Sequence, residues 1–255
     1  MSPGIQTSTT HLVLIPSYNA GPKVLETVKA ALNCWQPVWV VVDGSTDRSG
    51  DAIIDLRKIF PELRVIHLAA NSGKGAAVLT GMRAAAQSGF RFALVLDSDG
   101  QHPTDCIQQF MQASMNDPSA MILGCPDFGA DAPASRKHGR KVGNWWTNLE
   151  TLWGGIHDSL FGFRVYPIEE SVNVLESIRG GRRYDFDTEL VVRLYWRGVR
   201  PINIRAPVRY FSAAEGGSSH FHYLRDNLLL VKAHTFLVLG MLSRLSKIWR
   251  LRQRT

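Results

Sequence analysis

Two aspartates separated by one residue, Asp97 and Asp99 on either side of Ser98, come directly after a short apolar run. In extended backbone, side chains at positions i and i+2 point to the same side, so the two carboxylates are expected to lie close together. Such a pair repels unless a cation lies between its members, and hard oxygen ligands favour Mg²⁺ or Mn²⁺. Gln101 or His102 could complete the coordination shell. The motif predicts a divalent-metal site, although isolated triplets of this kind also occur in ordinary acidic loops.

Three further polar clusters follow predicted strands. They are Ile15–Asn19, Val42–Asp47 and Asn71–Ala76. Parallel sheets bind ligands beyond the carboxyl ends of their strands, so the four clusters together predict one ligand-binding edge. Lys74 lies between two glycines at a predicted helix start, which favours a phosphate or ribose contact. The alternatives are structural: Ser45 or Asp47 caps a helix, and the two glycines form a turn.

The elements that must position these clusters alternate along the first half of the chain. Predicted strands cover 11–15, 38–42, 64–68 and 92–96, and predicted helices cover 22–32, 47–60, 75–87 and 104–115. The second half is less regular, with a loop over 127–141, helices over 142–153 and 187–196, strands over 162–166 and 201–208, and a flexible loop over 213–219. The β-then-α order predicts an α/β fold with a mostly parallel central sheet and helices on both faces.

The length of 255 residues suits one such domain with a short appendage. The three scattered cysteines form no CxxC pair, so we expect neither a disulfide framework nor a zinc knuckle, and a reducing compartment is favoured. Residues 1–10 have neither the basic nor the apolar segment of a signal peptide and are expected to be flexible. Together these features favour a cytoplasmic location.

The net charge of +7 is concentrated in the last 35 residues. Residues 221–255 contain seven basic side chains and one acidic one, whereas the body of the protein is nearly neutral. The spacing of apolar residues predicts one long amphipathic helix over 224–251, whose apolar centre is shorter than the about 20 residues that a bilayer requires. We therefore expect it to lie on an anionic membrane surface, or alternatively to pack its apolar face on the domain. The neutral body offers no basic, aromatic groove for nucleic acid.

The four clusters, in this order and spacing, resemble those of glycosyltransferase family 2, and most closely its polyprenol-phosphate (dolichol-phosphate mannose synthase-like) branch. Their sequences are IPSYN, VVDGSTD, NSGKGAA and LDSDGQH. The resemblance implies a GT-A (Rossmann-like) fold over 11–220 and an inverting, metal-dependent transfer from a nucleotide diphosphate-sugar. The acceptor it implies is membrane-associated, a polyprenol phosphate or a glycolipid. Residues 11–125 would then form the donor half, 126–220 the acceptor half and 221–255 the membrane-associating helix.

The resemblance also implies roles for individual residues. The residues implied in nucleotide-sugar binding are Pro16, Ser17, Tyr18, Asn19, Asp43, Gly44, Lys74, Asp97, Ser98 and Asp99. Mg²⁺ or Mn²⁺ would be held by Asp97, Asp99 and Gln101. A later segment, GSSH, resembles one whose histidine reaches the metal or pyrophosphate, which adds His220 to this set.

Weaker similarities extend into the acceptor half, where HDSLFGFR (157–164) and FDTEL (186–190) resemble family elements. An acceptor phosphate could be clamped by arginines, for which the candidates are Arg136, Arg140 and Arg164. A lipid phosphate needs no general base, whereas a hydroxyl acceptor does. Asp158 is the first candidate for that base, with Asp187 and Glu189 after it. The alternative for Asp158 is a structural ion pair with Arg164. Phe161 replaces a residue that is usually small, so we expect it to reshape the acceptor pocket.

Other functions are compatible with parts of this pattern. Haloacid dehalogenase-type phosphatases also carry D-x-D after an apolar strand, but there the motif opens the domain and is followed by Thr or Val rather than Gln101. A catalytically inactive nucleotide-sugar-binding scaffold at the membrane is the second alternative. Intact Asp97, Asp99 and Lys74 argue against it. The identity of the sugar and nucleotide and the oligomeric state are not predicted by these motifs.

Overall fold

The computed structural model describes residues 5–128, 134–178, 186–208 and 223–253, the side chains of 134–138 and 223–227 excepted. The strands are β1 Gln6–Thr7, β2 His11–Ser17, β3 Trp35–Gln36, β4 Val38–Asp43, β5 Leu63–Leu68, β6 Phe92–Val95, β7 Ala120–Asp127, β8 Arg164–Pro167 and β9 Arg200–Pro207. The helices are α1 Lys23–Cys34, α2 Ser49–Leu56, α3 Lys74–Gln87, α4 Ile107–Asn116, α5 Ala134–Glu150, α6 Ile168–Ser177, α7 Phe186–Arg197, α8 Tyr223–Leu242 and α9 Leu245–Arg252. A 3-10 turn, Thr104–Cys106, precedes α4.

Seven strands form the central sheet, in the order β5-β4-β2-β6-β8-β7-β9. Strands β5, β4, β2 and β6 run parallel, β8 is antiparallel to both of its neighbours, and β7 pairs in parallel with β9. The predicted mostly parallel α/β fold is confirmed. The antiparallel direction of β8 is a feature that the sequence pattern did not predict.

Both faces of the sheet are covered, as the unbroken apolar runs of its strands require. Side chains alternate along β2, so Leu12 and Leu14 pack with the core that contains α3, α6 and α7, whereas Val13 and Ile15 pack with α1 and α4. All four side chains are fully buried. The loops at the carboxyl ends of these strands are therefore held by two cores rather than one.

Several boundaries differ from those predicted. Helix α5 begins at Ala134, inside the predicted loop over 127–141, because the polar residues of that stretch also suit a solvent-facing helix. Strand β7 and helix α6 were missed, and Gln6–Thr7 pairs with β3 although we expected a flexible terminus. The predicted loop over 213–219 lies outside the described residues.

The C-terminal segment is two helices, so the prediction of one long amphipathic helix is wrong. Helices α8 and α9 meet at an angle of 88°. Helix α8 is apolar on two faces: Ala233, Leu237 and Met241 are buried against the domain, and further apolar side chains face outward. Those outward side chains are Leu228, Val231, Phe236, Leu239 and Leu242. In the described part of the chain, no single helix is long and apolar enough to span a bilayer; the segment 228–242 and α9 meet that criterion only as a bent pair.

A buried polar pair joins α8 to the rest of the domain. His234 Nδ1 lies 2.7 Å from Oε1 of Glu150, the last residue of α5, and Glu150 is completely buried. The backbone carbonyl of Glu150 also accepts a hydrogen bond from the indole of Trp196 on α7. Glu150 therefore links three helices. Burial raises its pKa, and the hydrogen bond from His234 opposes that rise.

We predict that His234→Ala lowers the free energy of unfolding by about 2–4 kcal/mol at neutral pH, because it leaves Glu150 as an unpaired buried carboxylate. A carboxyl group whose pKa is higher in the folded state costs stability as the pH rises through its unfolded value, about 4.3. The loss should thus be larger at about pH 7.5 than at about pH 5. Guanidinium unfolding measures both values. Thr235→Ala, on the exposed face of α8, is the control, and equal losses for the two variants would contradict the prediction.

Candidate active site

The polar clusters lie where β2, β4, β5 and β6 end, and these four strands are neighbours in the sheet. The prediction that they share one edge is therefore confirmed. Pro16 and Ser17 end β2, with Tyr18 and Asn19 directly after them, and Asp43 ends β4. The remaining members follow β5 and β6.

Asp97 is the centre of the contacts at this edge. Its Oδ1 lies 2.6 Å from Nζ of Lys74, the first residue of α3, and its Oδ2 lies 3.1 Å from Nε2 of His102. Burial would raise the pKa of Asp97, but the charge of Lys74 and the hydrogen bond with His102 outweigh it and hold the pKa well below its usual range. Asp97 is therefore an anion whose negative charge is already matched by the protein.

Lys74 is shared by a second carboxylate. Its Nζ lies 3.0 Å from Oδ2 of Asp187, at the start of α7. Burial would lower the pKa of Lys74, but Asp187 and Asp97 together raise it, so the side chain stays an ammonium ion. Asp187 in turn lies 3.4 Å from Arg164, whose Nη1 also donates to the hydroxyl of Tyr166. A continuous charged network thus joins the ends of β2, β4, β5 and β6 to β8 and α7.

The backbone at Gly162 lies directly on this network. A Cβ atom at position 162 would come within 2.3 Å of Oδ2 of Asp97 and 3.0 Å of Nζ of Lys74. The space is filled by the Asp97 carboxylate, so glycine is the residue type that leaves the ion pair in place.

Asp99 differs from Asp97 in its surroundings. Burial and the adjacent charge of Asp97 raise the pKa of Asp99, and the backbone amide of Gln101 donates to its Oδ1. The carbonyl of the intervening Ser98 accepts a hydrogen bond from Thr27 on α1, which holds the turn in place.

This donor set fits a magnesium or manganese ion that binds together with phosphate. Such ions are held by one or two carboxylates, with water and substrate phosphate completing the shell. Asp97 and Asp99 supply two carboxylates, and within the described ranges no cluster of three or more His, Cys, Asp or Glu side chains could form an all-protein cage. Of the other two predicted ligands, Gln101 is seen to contact Asp99 through its backbone amide, and His220 lies outside those ranges.

The loops that follow β4 and β5 are tied together through Asp43. Its carboxylate accepts hydrogen bonds from the backbone amides of Ser72 and Gly73, at 2.7 and 2.8 Å. Gly44 has φ +63°, and a Cβ there would meet the backbone of Asn71 at 2.4 Å. Asp43 and Gly44 therefore fix the loop that leads to Lys74.

A second tie joins the loops after β2 and β4. The side-chain oxygen of Asn19 accepts from the amide of Thr46 at 2.7 Å, and the amide of Asn19 donates to Ser45 at 3.0 Å. Asp47 accepts from the amides of Gly21 and Ser49, the latter at the start of α2. Asp47 precedes the N-cap residue of α2, Arg48, and its hydrogen bonds tie the start of α2 to the loop after β2, so its observed role is structural.

Asp158 lies between α5 and β8, and its carboxylate accepts four hydrogen bonds. Its oxygens accept from Arg140 at 2.6 Å, from Asn144 at 3.2 Å and from the amides of Leu160 and Phe161. The suggested ion pair with Arg164 is wrong, because Arg164 pairs with Asp187 instead.

A cavity of about 270 Å³ opens beside this cluster, at the carboxyl end of β7. Its lining includes the basic residues Arg140, Lys141 and His157, together with Asn144 and Asp158. The structure therefore brings Arg140 to a cavity but leaves Arg164 buried away from it. The helical backbone at Arg136 is described, whereas its side chain is not.

Phe161 does not reshape this cavity, contrary to our expectation. Its ring is buried and packs edge-on against His102, with centroids 4.7 Å apart. A Cβ at Gly124 would meet that ring at 2.5 Å, so the glycine accommodates the large side chain within the core. Phe161 thus supports the histidine that contacts Asp97.

Sequence reasoning missed the parts played by Gly162 and Tyr166. Asp187 was named only as a secondary candidate for a base, whereas the structure makes it the second partner of Lys74. The motifs GFR and FDTEL could have indicated this network, since both place charged residues beside small or aromatic ones. The contact between Lys74 and Asp187 joins positions 113 residues apart, which spacing in the sequence does not reveal.

Comparison with known proteins agrees with this geometry. The family model for glycosyl transferase family 2 matches residues 12–170, which include all four strand-end clusters and strands β2 to β8.

Two curated relatives match most of the chain. Polyprenol monophosphomannose synthase of Mycolicibacterium smegmatis is 28% identical over 207 residues, covering 74% of this chain and 71% of that protein. UDP-N-acetylglucosamine–dolichyl-phosphate N-acetylglucosaminyltransferase of Methanococcus voltae is 26% identical over 196 residues, covering 71% and 78%.

Among solved structures, the fold resembles that of glucosyl-3-phosphoglycerate synthase from Mycobacterium tuberculosis in complex with Mn²⁺, UDP-glucose and phosphoglyceric acid. The TM-score is 0.61, with 14% identity and coverage of 91% of this chain and 79% of that chain. At this identity the likeness concerns the fold alone, which is the GT-A architecture that the motifs predicted. The matched family model, the four strand-end motifs and this fold agree. The chain belongs to glycosyltransferase family 2 and is a glycosyltransferase.

Proposed function

We propose that this enzyme transfers a sugar, with inversion, from a nucleotide diphosphate-sugar to the phosphate of a membrane polyprenol. The observation that carries the proposal is the pair of carboxylates, Asp97 and Asp99, at the sheet edge beside Lys74. The named activities of the relatives from Mycolicibacterium smegmatis and Methanococcus voltae support a polyprenol or dolichyl phosphate as acceptor.

Asp97 and Asp99 would hold a divalent metal, Mg²⁺ or Mn²⁺, which offsets the charge that develops on the departing diphosphate. The solved relative that contains Mn²⁺ and UDP-glucose supports this assignment. Tyr18 and Asn19 line the neighbouring strand end and would contact the nucleotide, with Asp43 and Gly44 fixing the loop that faces it.

The cavity beside Arg140, Lys141 and His157 would receive the acceptor phosphate. A phosphate is already an anion at neutral pH, so the attack requires no general base. Asp158 accepts four hydrogen bonds, and we assign it the role of positioning Arg140 rather than of removing a proton. A phosphate acceptor explains why basic residues line this cavity. The only carboxylate among its described lining residues, that of Asp158, already accepts hydrogen bonds from the protein.

The outer surface of α8 and α9 would hold the enzyme on an anionic membrane. Outward-facing apolar side chains of α8 are joined by Leu245 and Trp249 on α9, and by Val142 and Trp145 on the adjoining α5. Basic residues border this surface, and residues 228–253 contain no Asp or Glu. A second copy of the chain would repel this surface because it carries the same positive charge, whereas an anionic lipid surface would attract it. We place the protein on the cytoplasmic face, and its three free cysteines support a reducing compartment.

We predict that Asp99→Asn lowers metal-dependent release of nucleotide diphosphate by at least about 100-fold, because one of two carboxylates that hold the metal is lost. The assay uses a panel of UDP- and GDP-sugars with Mn²⁺ or Mg²⁺ and polyprenol phosphate in detergent. Asp105→Asn changes an exposed acid in the following turn and is the matched control. Metal-dependent nucleotide binding by the wild type with no turnover for any donor would favour the inactive scaffold instead.

Replacing Lys141 by alanine should raise KM for polyprenol phosphate by about tenfold, because a cation at the cavity wall is removed. Lys141 is exposed and is thus less prone than Arg140 to disturb the fold. Lys29→Ala, on the exposed face of α1, is the control. Acceptor kinetics that are the same in both variants would place the acceptor phosphate elsewhere.

The double variant Leu245→Ser and Trp249→Ser should bind vesicles that contain phosphatidylglycerol at least about fivefold more weakly, because two interfacial apolar side chains are lost. Vesicle flotation measures the binding, with pure phosphatidylcholine vesicles reporting the contribution of charge. Ile59→Ser removes an apolar side chain that is more exposed than either Leu245 or Trp249, just after α2 on the opposite face of the sheet, and should leave binding unchanged. Binding that depends on Ile59 as strongly as on α9 would contradict the assignment.

A further inference from the structure

The single ammonium group of Lys74 contacts two carboxylates. Its Nζ lies 2.6 Å from Asp97 and 3.0 Å from Asp187, and only 17% of the side chain is exposed. Asp187 also has Arg164 as a partner. Of the two acids, it is therefore Asp97 that relies on Lys74 for its positive neighbour, with the His102 ring as a further hydrogen-bond partner.

The position of Lys74 conflicts with a bare divalent ion. An ion on Asp97 and Asp99 would lie within a few ångströms of the ammonium, and like charges at that range repel strongly in a partly buried site. Lys74 already binds the Asp97 carboxylate, and the backbone at Gly162 lies directly against it, so the two cations would compete for the same oxygens. With Lys74 in place, the pair Asp97–Asp99 retains about one uncompensated negative charge.

A diphosphate removes this conflict. It brings negative charge that both ligates the metal and offers Lys74 a new partner. Lys74 is the first residue of α3, where the positive end of the helix dipole also favours an anion. Asp187, which keeps its contact with Lys74, would hold the side chain nearby during the exchange.

From these contacts we infer that Lys74 is an internal counter-ion that makes metal binding depend on the nucleotide diphosphate. Lys74 neutralises Asp97 while the donor is absent and is transferred to the diphosphate when metal and nucleotide bind together. The inference rests on the proposed function for the identity of the donor. It adds an order of binding: metal enters with the nucleotide and not before it.

The experiment measures Mn²⁺ binding through the electron paramagnetic resonance signal of the free ion, with no acceptor and no turnover. Each protein is titrated alone and with saturating UDP or GDP. For the wild type, we expect Mn²⁺ affinity at least about tenfold higher with the matching nucleotide. Lys74→Met should raise the nucleotide-free affinity at least about tenfold, because the competing charge is gone. Lys74→Arg retains the charge and should behave like the wild type.

Thermal unfolding establishes that each variant is folded, and Lys74→Gln provides a second neutral side chain if the methionine variant is unstable. Equal nucleotide-free Mn²⁺ affinity in the wild type and the neutral variants would overturn the inference, as would an arginine variant that behaves like the methionine one. Mn²⁺ coupling to nucleotide without any sugar transfer to lipid phosphate would refute the proposed acceptor and leave the role of Lys74 standing. Absence of Mn²⁺ binding even with nucleotide would overturn both.

Discussion

Neutralisation of the Asp97 carboxylate is the constraint on which the rest of the site depends. A strand buried on both faces delivers this acid to the sheet edge, where water screens it only in part. The protein meets the constraint with Lys74 from the first turn of α3 and with His102 from the loop before α4. Elements that are distant in sequence must therefore meet at one point, and the two cores that flank the sheet fix them there.

The same electrostatic requirement explains the arrangement of β8 and α7. Asp187 at the start of α7 also binds Lys74 and is itself paired with Arg164, which is buried and donates to the hydroxyl of Tyr166. The antiparallel strand β8 supplies both Arg164 and Tyr166, so the one strand that departs from the parallel pattern is the strand that joins the two halves. Asp158 and Arg140 form a separate, locally satisfied cluster at the cavity.

The donor edge could be predicted from sequence because parallel strands end at a common edge, so local motifs such as DSD and GKG report a shared location. The ion pair between Lys74 and Asp187 could not, because it joins residues 113 positions apart and depends on how β8 and α7 pack. Helix α5 was obscured by its glycines and charges, whose weak preferences the packing of its Trp-rich end overrides. The bend between α8 and α9 was missed because apolar periodicity continues across it.

The contact between Gly162 and Asp97 has a consequence for substitution in this part of the chain. Most of the segment that runs from the cavity to β8 is already constrained by packing, because Asp158, Ser159, Phe161 and Phe163 are buried and only His157 is exposed. Position 162 carries a second and different constraint, since any side chain there would collide with the Asp97 carboxylate. Substitution at most positions of this segment would therefore disturb the core, whereas substitution at position 162 would act on the charged network directly.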